Sequence, residues 1–370
     1  MKPSRIFAVG LGLVLAVLAA PAVGASAPAH GTADGLAGAS SVRTDDVCFT
    51  VHNQGDPVAS RVYGVRYYVG VPDEKTKAII LVHGNSVTHA FWDTREDFSV
   101  ARRLAGAGYL VIAYDRLGYA KSPYIRPRGA GYALTLHSQR VMLHEMVTQV
   151  KAGSYTFGRD GTCATGSGPA AGLPSETVML IGHSAGGAIV SGYPGHYHDV
   201  AAMVQAGWSN REFDSPEFPH SYIARTVGVQ LAEGNDYANL LPTPADCEMA
   251  VLYRPTVVAS LVAPFCRGSV PAPAGELAGI GATIVDNLAA IHDVGPHLPV
   301  LLAWADPDFF VRPDSRANET MYWSAHCGCD VESWIQPETG HALVAHESMP
   351  TFTTKVVTWL TAKGLGPRQP

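Results

Sequence analysis

Residues 177–187 read TVMLIGHSAGG and determine how the rest of the chain is interpreted. The first five are short, apolar and unalternating, which is typical of a strand buried on both faces. Ser184 follows with a glycine two positions away on each side, and the small, apolar residues continue to Gly192 as a potential helix start. A serine in this setting occupies a sharp turn that exposes its Oγ. We therefore predict a strand, a strained turn at Ser184 and a helix.

Further short apolar runs have the same character as this strand. They are Ala78–Val82, Tyr109–Tyr114, Val200–Gln205 and Pro299–Trp304. Helical patterns separate them at Phe91–Ala107 and Leu136–Val150, and Ser348 with Pro350 marks the start of a terminal helix. Strands that alternate with helices predict an α/β fold with a mostly parallel sheet and helices on both faces. Ahead of them, Cys48–Val51 and Arg61–Val69 can pair antiparallel.

The region between Trp208 and His297 breaks this alternation. It is rich in proline and holds only weak helical patterns, at Tyr222–Glu233, Val251–Val262 and Glu276–His292. An insertion after a parallel strand lies over the edge of the sheet where ligands bind. We therefore predict a core formed by residues 45–208 and 298–370, with a helical cap or lid, residues 209–297, inserted late in the sheet.

The first residues resemble an export signal. Lys2 and Arg5 precede the uncharged apolar run Ile6–Ala20, and Val23-Gly24-Ala25 fits a signal-peptidase site. We predict a signal peptide over residues 1–25, cleaved near Ala25, then a flexible leader over 26–44 and a secreted, extracellular protein. The alternative is an uncleaved membrane anchor, but the run is short for a spanning helix. With the first cysteine well beyond this region, we expect no stable membrane anchor.

Composition and charge narrow the class further. Apolar residues make up 47% and charged residues 16% of the chain, which excludes a disordered protein. Without residues 1–25 the chain has 24 basic and 32 acidic residues, a formal charge of −8. There is no long block of like charge, so we expect no nucleic-acid partner. Composition leaves the oligomeric state open.

The six cysteines fit an oxidising compartment. They are Cys48, Cys163, Cys247, Cys266, Cys327 and Cys329. Export predicts three disulfides, and sequence leaves 15 pairings open, of which Cys247 with Cys266 is favoured by proximity in the chain. The spacing of Cys327 and Cys329 is too tight for a zinc ribbon, so we expect no metal site.

A serine nucleophile needs a base, usually a histidine oriented by a carboxylate. His341 lies in a Thr-Gly-His-Ala loop after the strand-like Val331–Ile335, and we predict that it is this base. His346 comes one turn later, towards the terminal helix. His183 adjoins Ser184, so its side chain is expected to point away, and His326 is expected to be structural.

The carboxylate should follow the run ending at Trp304, where two aspartates stand. Asp308 lies deeper in the loop, after Pro307, and is preferred as the catalytic acid. Asp306 stays the alternative, although an aspartate before a proline also suits a turn.

Two backbone amides can bind a developing oxyanion. Ala185 directly follows the serine at the helix start. Asn85 follows His83-Gly84 at the end of the run Ala78–Val82, and we predict that its N–H is the second donor.

Four motifs in this order resemble the α/β-hydrolase superfamily, from about Cys48 to Leu365. They are His83-Gly84, the segment DRLGYAKS at 115–122, the turn at Ser184, and Gly340-His341. The second resembles a D-x-x-G-x-G-x-S turn with Ala120 in place of its second glycine. The resemblance implies an α/β-hydrolase fold and a Ser-His-Asp hydrolase with a cap. Position 184 is serine, which argues against the dehalogenases and epoxide hydrolases of this fold, since these use an aspartate nucleophile.

These observations predict a secreted serine hydrolase that cleaves a carboxylic ester or lactone through an acyl-enzyme. We expect a small-molecule acyl substrate and no metal or organic cofactor. Trp208, Phe309 and Phe310 are candidates for the pocket wall.

Three alternatives stay open. A peptidase or amidase, similar to prolyl aminopeptidases, needs a cap carboxylate to hold the substrate amine. The candidates are Glu212, Asp214, Glu217, Glu233 and Asp236. An acyltransferase of the same fold and a non-catalytic binding protein are the others.

Overall fold

The computed structural model describes residues 42–159, 161–163, 172–211 and 227–367. The predicted signal peptide and most of the predicted leader lie outside these ranges. The strands are β1 (Arg43–Val51), β2 (Ser60–Tyr68), β3 (Ala78–Val82), β4 (Leu110–Tyr114), β5 (Thr156–Phe157), β6 (Val178–His183), β7 (Ala202–Ala206), β8 (Tyr237–Ala238), β9 (Ala272–Pro273), β10 (Pro299–Asp306) and β11 (Asp330–Pro337). The helices are α1 (Val100–Gly106), α2 (Leu136–Ala152), α3 (Ala185–Tyr197), α4 (Pro244–Val251), α5 (Ala259–Arg267), α6 (Ala274–Ala278), α7 (Ile280–Ile291), α8 (Pro313–His326) and α9 (Met349–Ala362).

Nine of the strands form one sheet in the order β11-β10-β7-β6-β3-β4-β2-β1-β5. The strands from β11 to β4 are parallel, and β2, β1 and β5 continue the sheet antiparallel. The predicted α/β fold class is therefore confirmed, including the antiparallel pair ahead of the parallel strands. Parallel neighbours end at the same edge, so β3, β6 and β10 bring the loops that follow them together.

The sheet divides the core into two layers. On β3, Ile80 and Val82 pack with residues of α2 and α3, whereas Ile79 and Leu81 pack with residues of α1 and α9. Because successive side chains of a strand point to opposite faces, a strand covered on both sides has to be apolar throughout. This explains why the predicted strands lack alternation.

The helix bounds differ from the predicted ones in three places. The pattern Phe91–Ala107 contains the end of a 3-10 helix, His89–Trp92, and then α1, which begins late because the Ser99 side chain caps it by accepting the N–H of Arg102 at 3.0 Å. The pattern Val251–Val262 spans a break between α4 and α5. The pattern Glu276–His292 is split at Gly279 into α6 and α7. Apolar spacing did not reveal these interruptions.

The predicted cap, residues 209–297, contains two kinds of structure. α7 packs along α3 and against α2 and so covers the sheet. The segment before it carries α4, α5, α6 and the small sheet of β8 and β9. We propose that the cap ends near Gly279. In the described ranges, no helix has both the length and the apolar character needed to cross a membrane.

All six cysteines are paired, as Cys48–Cys163, Cys247–Cys266 and Cys327–Cys329. The favoured pairing of Cys247 with Cys266 is confirmed, and it joins α4 to α5. The first disulfide ties β1 to a segment 115 residues later.

Removing these cross-links should destabilise the fold according to loop length. Cys247 and Cys266 are 19 residues apart, and replacing both with serine should lower the free energy of unfolding by about 3 kcal/mol. The same change at Cys48 and Cys163, which close a much longer loop, should lower it by about 5 kcal/mol. Urea unfolding followed by circular dichroism measures both losses. Equal losses for the two pairs would contradict the loop-length argument.

Candidate active site

Ser184 lies at the turn between β6 and α3, with φ 55° and ψ −123°. This backbone conformation is rare for a residue with a side chain and marks local strain. The flanking glycines make the turn possible. A Cβ on Gly182 would collide with the carbonyl oxygen of Gly186, and a Cβ on Gly186 would collide with that of Val82.

The structure brings Ser184, His341 and Asp308 into one hydrogen-bonded chain. The Oγ of Ser184 lies 2.9 Å from Nε2 of His341. Nδ1 of His341 lies 2.9 Å and 3.0 Å from the two carboxylate oxygens of Asp308. With Nδ1–H donating to the carboxylate, Nε2 is left free to accept the proton of the serine.

The two candidate aspartates have different surroundings. Asp308 is buried, and its Oδ1 accepts the N–H groups of Phe310 at 2.7 Å and Val311 at 3.1 Å. Asp306 is exposed and pairs with Arg316 at 3.0 Å, away from His341. The geometry therefore favours Asp308.

Asn85 and Ala185 line the same cavity as Ser184. The loop after β3 lies very near the serine, because a Cβ on Gly84 would be 2.9 Å from the Cβ of Ser184. Within the described part of the chain, the amides of Asn85 and Ala185 have no hydrogen-bond acceptor. Both are therefore available to a substrate oxygen.

His183 has a structural contact that sequence reasoning missed. Its side chain does not hydrogen-bond to the adjacent Oγ, and its Nε2 lies 2.8 Å from the carbonyl oxygen of His341. Burial holds the pKa of His183 well below its usual range, so the ring is neutral and Nε2–H donates. Phe91 stacks on the ring at 4.6 Å. This bond fixes the backbone of His341 beside the turn at Ser184.

His346 supports the same loop from its other side. Its Nε2 accepts the N–H groups of Tyr253 at 2.8 Å and Gly340 at 3.2 Å, while Nδ1–H donates to Ala342 at 2.9 Å. The ring is buried, and burial lowers its pKa to about 4. His326, which was expected to be structural, is exposed at the end of α8, beside Tyr322.

Acid should weaken the fold through His346. Unfolding restores its ordinary pKa of 6.5, so the unfolded chain binds the proton more tightly. The contribution of the neutral His346 ring to the free energy of unfolding is fully present above pH 6.5. It is lost as the pH falls towards 4. Between pH 7.5 and 5 we expect about 2 kcal/mol from this residue. Urea unfolding of the wild type and His346→Gln measures it, and identical pH dependence in both would contradict the expectation.

The cavity beside Ser184 has about 1040 Å³ of atom-free space, including the open solvent at its mouth. Most of its wall is apolar, formed by Val87, Phe91, Leu136, Trp208, Leu240, Leu241, Val251, Phe265, Leu277, Ile280, Phe310 and Val311. Trp208 and Phe310 thus lie where the pocket wall was predicted, whereas Phe309 is 38% exposed and is not part of it. No charged side chain of the described residues lines the cavity.

A family model described as "Alpha/beta hydrolase family" matches residues 79–355. The chain belongs to the alpha/beta hydrolase family. No curated protein matches this hydrolase. Among the described residues, no group of histidine, cysteine, aspartate and glutamate side chains is arranged to hold a metal ion.

Solved structures share the fold of this alpha/beta hydrolase at low sequence identity. A monoacylglycerol lipase of Paleococcus ferrophilus has a TM-score of 0.57 at 15% identity, covering 82% of this chain and 99% of that chain. An esterase of Pyrococcus furiosus has a TM-score of 0.52 at 15% identity, covering 87% and 93%. A peroxisomal alpha-beta-hydrolase of Saccharomyces cerevisiae has a TM-score of 0.56 at 10% identity, covering 89% and 92%.

Proposed function

We propose that this hydrolase is a secreted serine enzyme that cleaves a carboxylic ester or lactone through an acyl-enzyme. The observation that carries the proposal is the hydrogen-bonded chain Ser184–His341–Asp308 opening into an apolar cavity. An available serine, an oriented base and two available amides are the parts that acyl transfer needs.

The reaction follows from these positions. Ser184 attacks the acyl carbonyl while Nε2 of His341 takes the hydroxyl proton, and Asp308 stabilises the imidazolium that forms. The amides of Asn85 and Ala185 bind the oxyanion. The imidazolium then gives its proton to the leaving alcohol, which leaves the acyl group on Ser184. Nε2 of His341 then takes a proton from a water molecule as that water attacks the acyl group. The imidazolium returns this proton to Oγ of Ser184 as the carboxylic acid departs.

The cavity favours a neutral, apolar substrate over an amino-terminal peptide. An aminopeptidase must neutralise the substrate ammonium, because a buried unpaired charge is costly. Of the candidate carboxylates, Glu233 is exposed and Asp236 accepts the N–H of Gly129 at 2.7 Å. Glu212, Asp214 and Glu217 lie outside the described residues. The peptidase function is therefore the second candidate.

Export rests on two independent features. The basic start followed by Ile6–Ala20 has the pattern of a signal peptide. Three disulfides suit an oxidising compartment, because thiols stay reduced in the cytosol.

A substrate panel tests the proposal. We expect p-nitrophenyl esters of neutral acyl chains, or a simple lactone, to show the highest kcat/KM. Aminoacyl p-nitroanilides, which carry an ammonium group into an apolar wall, should be at least about 100-fold poorer. A preference for the anilides would favour the peptidase branch. Faster turnover with an added alcohol, giving a new ester, would favour an acyltransferase.

A further inference from the structure

The amide of Asn85 belongs to the same peptide unit as the carbonyl of Gly84. This peptide is trans, so its N–H and its C=O point in opposite directions. Any group that fixes the Gly84 oxygen therefore also fixes the direction of the N–H offered to the substrate.

Two buried donors hold the Gly84 oxygen. Nη2 of Arg116 lies 3.0 Å from it, and Nδ1 of His83 lies 2.7 Å from it. The backbone N–H of Arg116 donates to Nε2 of His83 at 3.0 Å, so the ring proton resides on Nδ1 and is donated to Gly84. Burial lowers the pKa of His83 to about 3, which keeps this ring neutral.

Arg116 is itself fixed by a carboxylate. Its Nη1 lies 2.6 Å from Oε1 of Glu276, and both side chains are fully buried. The hydroxyl of Tyr119 donates to the other oxygen of Glu276 at 2.7 Å, and Gln139 donates to Oε1 at 2.9 Å. Nη2 of Arg116 also lies 3.0 Å from Oδ1 of Asn85. The guanidinium thus contacts both residues of the peptide and has little freedom to move.

We propose that Arg116, held by Glu276, is a positioning residue for the oxyanion site. This inference rests on the proposed function. It aims the Asn85 N–H at the reacting carbonyl. By withdrawing electron density from the Gly84 oxygen, it also strengthens that N–H as a donor. Glu276 lies on α6, in the predicted cap, so the pair links the cap to the oxyanion site.

The role of Arg116 can be tested by replacing both members of the buried ion pair that it forms with Glu276. Removing one partner leaves an unpaired buried charge, whereas replacing both with apolar residues is often neutral for stability. The double variant Arg116→Met/Glu276→Met leaves Tyr119 and Gln139 without this acceptor, so its Tm should fall, but by less than that of either single variant. We expect KM for a p-nitrophenyl ester to stay unchanged and kcat to fall by about 10- to 100-fold.

A second readout is specific to the oxyanion. A trifluoromethyl ketone adds to the serine and places a negative oxygen against the two amides. Its Ki should rise by the same factor as kcat falls. As a control, Arg140→Met/Asp286→Met removes a second arginine–aspartate pair, in which the arginine is buried and the aspartate half-buried, and none of whose contacts lines the cavity. The control should leave the ratio of Ki to KM unchanged.

Wild-type kcat and Ki in a folded Arg116→Met/Glu276→Met variant would overturn the positioning role. Should that variant not fold, Arg116→Lys takes its place, because lysine lacks the planar fork that bonds Glu276 through Nη1 and Gly84 through Nη2. The same loss of kcat and rise in Ki are expected there, and wild-type values would overturn the role. A Ser184→Ala variant runs alongside. If Ser184→Ala keeps full activity, the proposed function is wrong, and the role of Arg116 is overturned with it. If Ser184→Ala is inactive, the result for the arginine variant alone decides whether Arg116 positions the Asn85 amide.

Discussion

Replacing Ser184 with alanine should lower kcat for a p-nitrophenyl ester by about 10⁴- to 10⁶-fold. Without the hydroxyl, no acyl-enzyme forms, and the remaining rate comes from substrate binding and the two oxyanion amides. The strained φ of 55° at this position belongs to the turn, so the variant should keep its native circular dichroism. Steady-state kinetics and labelling by a fluorophosphonate probe measure the loss.

Ser191→Ala is the matched control. This serine lies on the same helix, is buried and donates to the carbonyl of Ala188 at 3.0 Å, with no role at the cavity. It should keep its activity within a few-fold and its labelling intact. Persistent labelling and turnover in Ser184→Ala would rule out the proposed nucleophile, and unlabelled wild-type protein would favour a binding protein.

Exchanging the carboxylate of Asp308 for an amide should lower kcat by about 10⁴-fold. In Asp308→Asn, the amide N–H can face Nδ1 of His341, which favours the tautomer with its proton on Nε2. That nitrogen then cannot accept the proton of Ser184. Ester hydrolysis measured from pH 6 to 9 shows the loss.

Asp306→Asn is the paired experiment. This residue is exposed and bonded to the buried Arg316, and the side-chain oxygen of asparagine can still accept a hydrogen bond from that guanidinium. Its kcat should stay close to that of the wild type. A large loss in Asp306→Asn with little change in Asp308→Asn would reverse the assignment of the acid.

Local patterns carried most of the fold prediction. An unalternating run such as Ala78–Val82 fits a strand covered on both faces, and its length of only five residues favours a strand over a buried helix. The turn at Ser184 was equally readable from its motif, although only Gly182 is required by a contact inside it, whereas Gly186 is required by the backbone of Val82. Helix ends depended on single caps and breaks, and these were not visible in the apolar spacing.

The predicted site residues lie together. The residues that hold them in place through hydrogen bonds could not be identified from the sequence. Ser184 and His341 could be paired by motif and order. The contact of His183 with the His341 carbonyl joins residues 158 apart in the chain, and Arg116 meets Glu276 across 160. A buried ion pair leaves no periodic signal, so both partners look like ordinary surface charges in the sequence.

The bonds around His346 restrict how a substrate can enter. Val251 accepts the N–H of Ala342 at 2.8 Å, Thr256 accepts that of Glu347 at 2.9 Å, and Tyr253 donates to the His346 ring. Moving residues 251–256 away from the core as one body would break these bonds and displace His341, the proposed base. Residues 251–256, which include the cavity residue Val251, are therefore tied to the loop of His341 and form a fixed part of the cavity wall. Substrate entry therefore has to leave residues 251–256 in place, because their movement would disturb the proposed base.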